Sequence, residues 1–253
     1  MSTSRSSRRV ATVQETDGDG VRNLILLGLP RGECDEIFSK SEFMEVPLRF
    51  IFHEAGQPIK FVYFINSGLA SFLSVMTDGK SIEVGLAGKE GFVGLPLLVG
   101  LHSSATQVIM QVKGSAYRIS SKNFTKALSR CGTLKTNLSR YALHLGMQAS
   151  QVAACNRLHE VEERLARWLL MSQDRLGGDV VPLTQEFLAH MLGTRRASVT
   201  VAAGILQKAG LIAYNRGVVT INSRSRLEDA VCECYPAMRH QSKNWEREAG
   251  LST

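Results

Sequence analysis

Two short stretches of helical periodicity meet at a single glycine in LTQEFLAHMLGTRRASVTVAAGILQKAGLIAYNRGVVTI, residues 183–221. Few other arrangements suit such a segment. Thr184 can cap a first helix whose Phe187, Leu188, Met191 and Leu192 form a narrow apolar face, with Glu186 near the positive end of the helix dipole. Gly193 stops that helix after about two turns. Thr194 can cap a second helix, in which Val199, Ala202, Ala203 and Leu206 fall at i, i+3, i+4 and i+7 before Ala209 and Gly210 end it. Ala189 is small where the two helices must approach, so the residue logic is that of a helix-turn-helix.

The exposed side of the second helix is polar near its N-terminus. Arg195, Arg196, Ser198 and Thr200 lie near the start of the second helix, where backbone N–H groups suit phosphate oxygens and arginine can read guanine bidentately. LIAYNRGVVTI then alternates about Asn215, Arg216 and Gly217, a two-stranded ribbon with a basic tip, as expected of a wing. The segment holds four basic residues (Arg195, Arg196, Lys208, Arg216) against one acidic residue, Glu186. The candidate DNA-contacting set is therefore Thr184, Gln185, Thr194, Arg195, Arg196, Ser198, Thr200 and Arg216, with double-stranded DNA as the expected partner. A plain αα-hairpin with a solvated arginine pair is the simpler reading, but it leaves the turn, core spacing, ribbon and charge unrelated.

Upstream the texture is different. From about Phe43 to Ile119, short apolar runs alternate with turn signals: FVYFI then NSG, LASFLSVM then TDGK, SIEVGL then AGKEG, TQVIMQV then KGS, and AYRI. In SIEVGL the period is two, giving one dry and one wet face, so a β-sandwich or jelly roll is the economical architecture. Ahead of it VRNLILLGL reads as a short helix ending near Gly28 and Pro30. No proline occurs from Ser121 to Val181, and helix takes over. Leu134, Leu138, Tyr141, Leu145, Gln148, Val152 and Cys155 are spaced 4, 3, 4, 3, 4, 3, the a/d signature of a helical seam. The seam of a symmetric dimer is the preferred expectation; a helix lying on its own domain's core has the same spacing. A second helix, from about Val161 to Gln173, stops before Gly177, and Gly-Gly-Asp-Val-Val-Pro marks a loop or short strand.

Composition bounds the remaining choices. With 253 residues, 44% hydrophobic and 21% charged, the chain is neither disordered, collagen-like nor disulfide-stapled. No apolar run approaches the roughly 20 residues that cross a bilayer, and the Arg-bearing N-terminus has no following apolar stretch, so no membrane partner and a cytoplasmic location are expected. Five scattered cysteines point to reduced thiols. Net charge of +7 favours polyanionic partners. No His-Glu-x-x-His pair, Walker loop or G-x-G-x-x-G occurs, and Glu162 and Glu163 beside Arg164 suit a solvated helix face, so no catalytic residue is assigned and no enzyme is expected. Cys232 and Cys234 stand one residue apart with no histidine close in sequence, which favours structural thiols and assigns no metal.

The order of β-barrel, long helix and winged helix-turn-helix resembles the Crp/Fnr family of bacterial transcription regulators over about residues 40 to 222. FHEAG (Phe52 to Gly56), YFINSGLASFL (Tyr63 to Leu73), GKEGFVGLPLLVG (Gly88 to Gly100) and, more specifically, LAHMLGTRRASVTVAAGILQKAGLI carry the resemblance. With the pattern of elements it gives the expectation of an α+β chain: a cyclic-nucleotide-binding-like β-sandwich or jelly-roll domain over 21–130, a dimerisation helix over 131–158 and a Crp-type winged helix-turn-helix over 159–225; outside the resemblance, a disordered tail over 1–20 and a C-terminal helix and tail over 226–253 are expected. The resemblance also implies a homodimer on a two-fold symmetric operator, with RNA polymerase as a further candidate partner.

In cyclic-nucleotide-binding members a Gly-Glu pair and an Arg-Ser pair hold the ligand. Here those positions, the effector-pocket candidates, are Gly94 and Leu95, and Ser103 and Ser104. Both charged ligands are absent, so cAMP is not expected. The oxygen-sensing branch needs about four cysteine thiolates for its iron-sulfur cluster. Only Cys34 precedes Arg130, so no such cluster is expected and no cofactor is identified. Arg196 matches a base-contacting arginine of the cyclic AMP receptor branch, Ser198 a position that usually touches phosphate, and Thr200 a base-facing position in other branches. Ala197 and Val201 replace that branch's Glu and a later Arg, which implies a different target sequence. Two alternatives are a barrel that has lost ligand binding and a cupin-like small-molecule or metal-dependent enzyme barrel with an unrelated helical tail.

Overall fold

The computed structural model describes residues 20–251, so the expected N-terminal tail lies outside the described residues except for Gly20. Two short helices, α1 (Leu24–Leu27) and α2 (Arg31–Phe38), lead into β1 (Ser41–Val46), β2 (Ile51–His53), β3 (Phe61–Val75), β4 (Ser81–Ala87) and β5 (Phe92–Val93). A 3-10 turn (Leu95–Val99) and β6 (Thr106–Ser120) complete the β region. Then come α3 (Ser121–Leu128), α4 (Gly132–Leu158), α5 (Val161–Leu176), β7 (Val180–Pro182), α6 (Gln185–Met191), α7 (Arg196–Lys208), β8 (Ile212–Asn215), β9 (Val218–Ile221), α8 (Arg224–Asp229) and α9 (Cys234–Glu248).

The antiparallel sheet runs β1-β6-β3-β4, with β2 also on β6 and β5 on β3. Its two central strands are each 15 residues long, which corrects the expectation of turns at NSG and KGS. Those residues meet each other across the sheet, where Ser67 pairs with Ser115 and the register shifts on either side. A Cβ on Gly114 would collide with the Ser67 carbonyl, and one on Gly68 would press on Val112 and Lys113. Glycine here permits close backbone approach inside a bulged, bent strand, and locally such a site has the composition of a turn. Phe64, Phe92 and Phe124 pack through successive tilted ring contacts of 4.8 and 5.3 Å, fastening α3 to the barrel.

The a/d stripe of α4 is buried within the chain. Leu134, Leu138 and Tyr141 join a core with Ile25, Phe64 and Trp245, Val152 packs with Leu165, and Cys155 packs with Cys232. Leu145 is half-buried against Gly85 of β4, and Gln148 hydrogen-bonds His144 at 2.7 Å. This corrects the expected intersubunit seam: the spacing reports a dry stripe, and the barrel and α9 keep it dry. Trp245 of α9 lies 5.5 Å from the Tyr141 ring and stacks on His144 at 5.4 Å. Burial pushes the His144 imidazole down to about 4, so it sits there neutral. A different face of α4 is exposed, carrying Leu143 (67% exposed), Met147 and Leu158.

The core of the C-terminal region is continuous with the sheet through Leu69, Leu73 and Leu86. Trp168, Leu169 and Leu170 of α5, Leu188 and Ala189 of α6, Val199, Ala202, Ala203 and Leu206 of α7, and Val219 and Ile221 of β9 are buried together. The Gly-Gly-Asp-Val-Val-Pro segment supplies β7, which pairs with β9 and makes the wing a three-stranded sheet, β7-β9-β8. No helix among the described residues is long and apolar enough to cross a membrane.

Candidate nucleic-acid interface

Thr184 caps α6 as its sequence suggests, its hydroxyl accepting from the Phe187 N–H at 3.2 Å. Gly193 makes the turn with φ 57°, a left-handed conformation that favours glycine. Thr194 does not cap α7. Its N–H is spent inside the turn on the Ala189 carbonyl at 3.0 Å, and Arg195 occupies the N-cap position without a side-chain cap. The start of α7 therefore combines two arginines with first-turn amides that no side chain caps.

Arg195, Arg196 and Thr200 are exposed and Ser198 is half-buried. The Thr200 hydroxyl donates to Gln185 Oε1 at 2.9 Å, tying α7 to α6, a link between two candidate contact residues that spacing alone does not reveal. Val201 and Ile205 are also exposed on α7, while Val199, Ala202, Ala203 and Leu206 face inward. Beyond α7, Arg216 and Gly217 both have positive φ (45° and 80°) and join β8 to β9 in a tight hairpin, leaving Arg216 exposed at its tip.

This reading head is seated on the barrel. Ile82 of β4 fills the space a Cβ on Gly193 would need. A cleft of about 720 Å³ runs between Met76, Lys80 and Ser81 on one side and His190, Arg195 and Ser198 on the other. Deeper in, Glu83 of β4 accepts hydrogen bonds from Trp168 Nε1 (2.8 Å) and Ser71 Oγ (2.7 Å). Burial pushes the Glu83 carboxyl up to about 7, opposed by those two bonds and by Arg167 and Arg175. Arg175 of α5 also pairs with Glu90 at 2.8 Å, both side chains nearly buried. Barrel and helix-turn-helix thus share polar contacts inside a dry interface, and β4 touches the recognition turn through Ile82.

The positions expected to face an effector offer no charge. Gly94 precedes the 3-10 turn and packs on Val62, and Leu95 is half-buried against the apolar core. Ser103 is exposed and bridges to Pro58, and Ser104 bonds Thr106 at 2.9 Å. None of the four supplies a cation for a cyclic phosphate or a carboxylate for a ribose, so these residues do not fit a cyclic nucleotide held in the usual way. Arg118 on the neighbouring strand is committed elsewhere, to Glu42 at 2.9 Å and to the face of Phe61.

Cys34, the one N-terminal thiol, donates to the Leu26 carbonyl at 3.3 Å. Three other cysteines converge. Cys155 and His159 at the end of α4 meet Cys232 and Cys234 at the start of α9, all four ligating atoms lying within 4.8 Å of one another. Cys232 and Cys234 are neighbours along the chain, whereas Cys155 and His159 reach them only through the tertiary fold.

A profile of the Crp-like helix-turn-helix domain matches residues 163–230, and one of the cyclic nucleotide-binding domain matches residues 48–131. Among curated proteins no sequence matches. Solved structures of similar fold include FixK2 from Bradyrhizobium japonicum (16% identity, TM-score 0.65, 76% of this chain and 98% of that one). Another is TTHB099, a CRP-family transcriptional regulator from Thermus thermophilus (20% identity, TM-score 0.60, 74% and 95%). A third is CLP of Xanthomonas campestris, a c-di-GMP responsive global regulator (18% identity, TM-score 0.59, 77% and 100%). At these identities the structures speak for the fold, while the two profiles together span more than half of the chain in the order barrel, then helix-turn-helix. With an N-terminal antiparallel β domain, a long connecting helix and a winged reading head, the chain belongs to the Crp/Fnr family: it is a DNA-binding transcription regulator and not an enzyme.

Proposed function

We propose that two copies of this chain bind a two-fold symmetric operator, each laying α7 in the major groove and its wing tip on the adjacent backbone. The observation that carries the reading is the exposed cationic surface at the start of α7, Arg195 and Arg196, with a further exposed arginine, Arg216, at the tip of the following hairpin. Arg196 reads a base edge, Arg195, Ser198 and Arg216 hold phosphates, and exposed Val201 and Ile205 suit thymine methyl groups. Thr184 caps α6, Thr194 closes the turn through its backbone N–H, and the bond between Thr200 and Gln185 ties α7 to α6 beside the groove-facing surface.

The two-fold partner is best accommodated on the exposed face of α4, where Leu143, Met147 and Leu158 are uncovered, because the a/d stripe is already occupied. The barrel governs the reading head through β4, whose Ile82 and Glu83 touch the recognition turn and Trp168. Selection of bound duplexes from a random pool tests the proposal. A palindromic consensus is expected, and Arg196→Ala should relax it at one position per half-site by ~1–3 kcal/mol. An asymmetric consensus, or one indifferent to Arg196→Ala, would overturn it.

A further inference from the structure

The convergence of Cys155, His159, Cys232 and Cys234 is not explained by DNA binding. Cys155 and His159 stand one helical turn apart, so their side chains project from the same face at the end of α4. Cys232 and Cys234 flank the turn that opens α9, and the three thiols are buried. Cys155 Sγ and Cys232 Sγ are 3.6 Å apart, and Cys234 Sγ and His159 Nδ1 are also 3.6 Å apart. A tetrahedral ion with sulfur at about 2.3 Å and nitrogen at about 2.0 Å spaces its ligand atoms about 3.5 to 3.8 Å apart. Two edges of this cluster already have that length, and no separation exceeds 4.8 Å.

The surroundings match a metal centre as well. His159 points Nδ1 into the cluster while Nε2 lies 3.2 Å from the Glu233 carboxylate, the outer partner that fixes the tautomer of a ligating imidazole. Gln151 Nε2 donates to Cys234 Sγ at 3.1 Å, a bond suited to a metal-bound thiolate. Three thiolates around a divalent ion leave one net negative charge. Arg164 and Arg167 of α5 are buried within electrostatic reach of Cys155, and each keeps a buried Nε with no hydrogen-bond partner. Those cations answer the residual charge. The thiols are too close together for a four-iron cluster, in which each would bind a different iron.

We propose that Cys155, His159, Cys232 and Cys234 bind one divalent zinc-class ion in a closed tetrahedral site of three sulfurs and one nitrogen. The site closes across a hinge. His159 ends α4 and Glu160 begins the cap of α5, so the ion fastens α9 to the point where the long helix meets the DNA-binding region. Its role is structural, since all four positions are taken by protein and none is left for a substrate.

The full-length protein, reduced and stripped of metal by a chelator, is titrated with cobalt(II) and then with zinc(II). One equivalent of cobalt should produce the intense d–d bands of tetrahedral coordination and thiolate-to-metal charge transfer, both bleached by one equivalent of zinc. Zinc should also raise the thermal midpoint and release protons on binding. His159→Gln, a change at a partly exposed side chain, should weaken zinc binding at least tenfold while the chain stays folded by circular dichroism. Cys234→Ser should abolish the three-sulfur spectrum. Octahedral cobalt spectra, metal uptake unchanged in both variants, or anaerobically purified protein carrying iron with inorganic sulfide would each overturn the assignment. So would a Cys155–Cys232 disulfide that re-forms in the presence of zinc.

Discussion

Replacing Arg216 by asparagine isolates the backbone-contacting share of DNA affinity. The position has φ 45°, which asparagine tolerates, and Asn-Gly is favoured in a two-residue hairpin turn, so the substitution removes the charge and keeps the wing. Arg195 and Arg216, the two arginines assigned to phosphate, are exposed on each chain, giving four phosphate-neutralising cations to the proposed pair of chains. If each displaces one counterion, log K falls with log salt at a slope of about −3.6, a loss of ~10² in affinity between 50 and 200 mM salt. Arg216→Asn removes one cation per chain, which lowers the slope to about −1.8 and the loss over that range to ~10-fold. The measurement is fluorescence anisotropy on a selected operator duplex across a salt series. Base preference should be unchanged, because the wing is proposed to touch phosphate. A wild-type slope shallower than about −2, or a slope unmoved by the substitution, would refute the counting that places these arginines on DNA.

Gly193→Ala should cost roughly 1–3 kcal/mol by thermal denaturation, since it strains a left-handed backbone and presses on Ile82. Adding Ile82→Ala should recover only the steric part, and a single variant as stable as wild type would remove the argument. His144 has its pKa pushed down to about 4 in the folded chain against about 6.5 when unfolded, so the unfolded chain binds the extra proton as pH falls below 6.5. Between pH 7 and pH 5 that costs the folded state roughly 2 kcal/mol, and His144→Gln should lose that much less stability over the same interval in urea titrations. Leu143→Glu combined with Met147→Glu should yield monomers by sedimentation with the helical circular dichroism retained, whereas Leu138→Ala should lower stability by about 2–5 kcal/mol. An unchanged oligomeric state in the double variant would move the dimer interface off this face.

The helix-turn-helix was legible because everything that specifies it is local. A capping threonine, a left-handed glycine and an i, i+3, i+4, i+7 stripe occur within a short stretch of chain, and the structure differs mainly in giving the α7 N-cap position to Arg195 instead of Thr194. The barrel was legible as short β segments, but not as two long strands. Gly68 and Gly114 permit a bulge between facing backbones, and glycine beside serine and asparagine or lysine looks like a turn until the opposite strand is known. For α4 the period identified the buried positions but not what buries them. Leu138 and Tyr141 would have the same spacing under α9 as against a second protomer. The cysteine and histidine cluster was beyond reach for a related reason, since Cys155 and Cys232 are 77 positions apart and no periodicity links them.

Because α9 lies along α4 through Trp245, one flank of the long helix is already partnered by its own polypeptide. In the proposed two-chain assembly, contact between the copies is then confined to what that strap leaves uncovered. Removal of residues 240–251, which spares Cys234, Tyr235 and Met238, would take Trp245 off Tyr141 and His144 and hand the helix a second, competing surface. The expected consequence is misassembly: chains that still carry an intact recognition element but hold two of them at the wrong spacing for any operator.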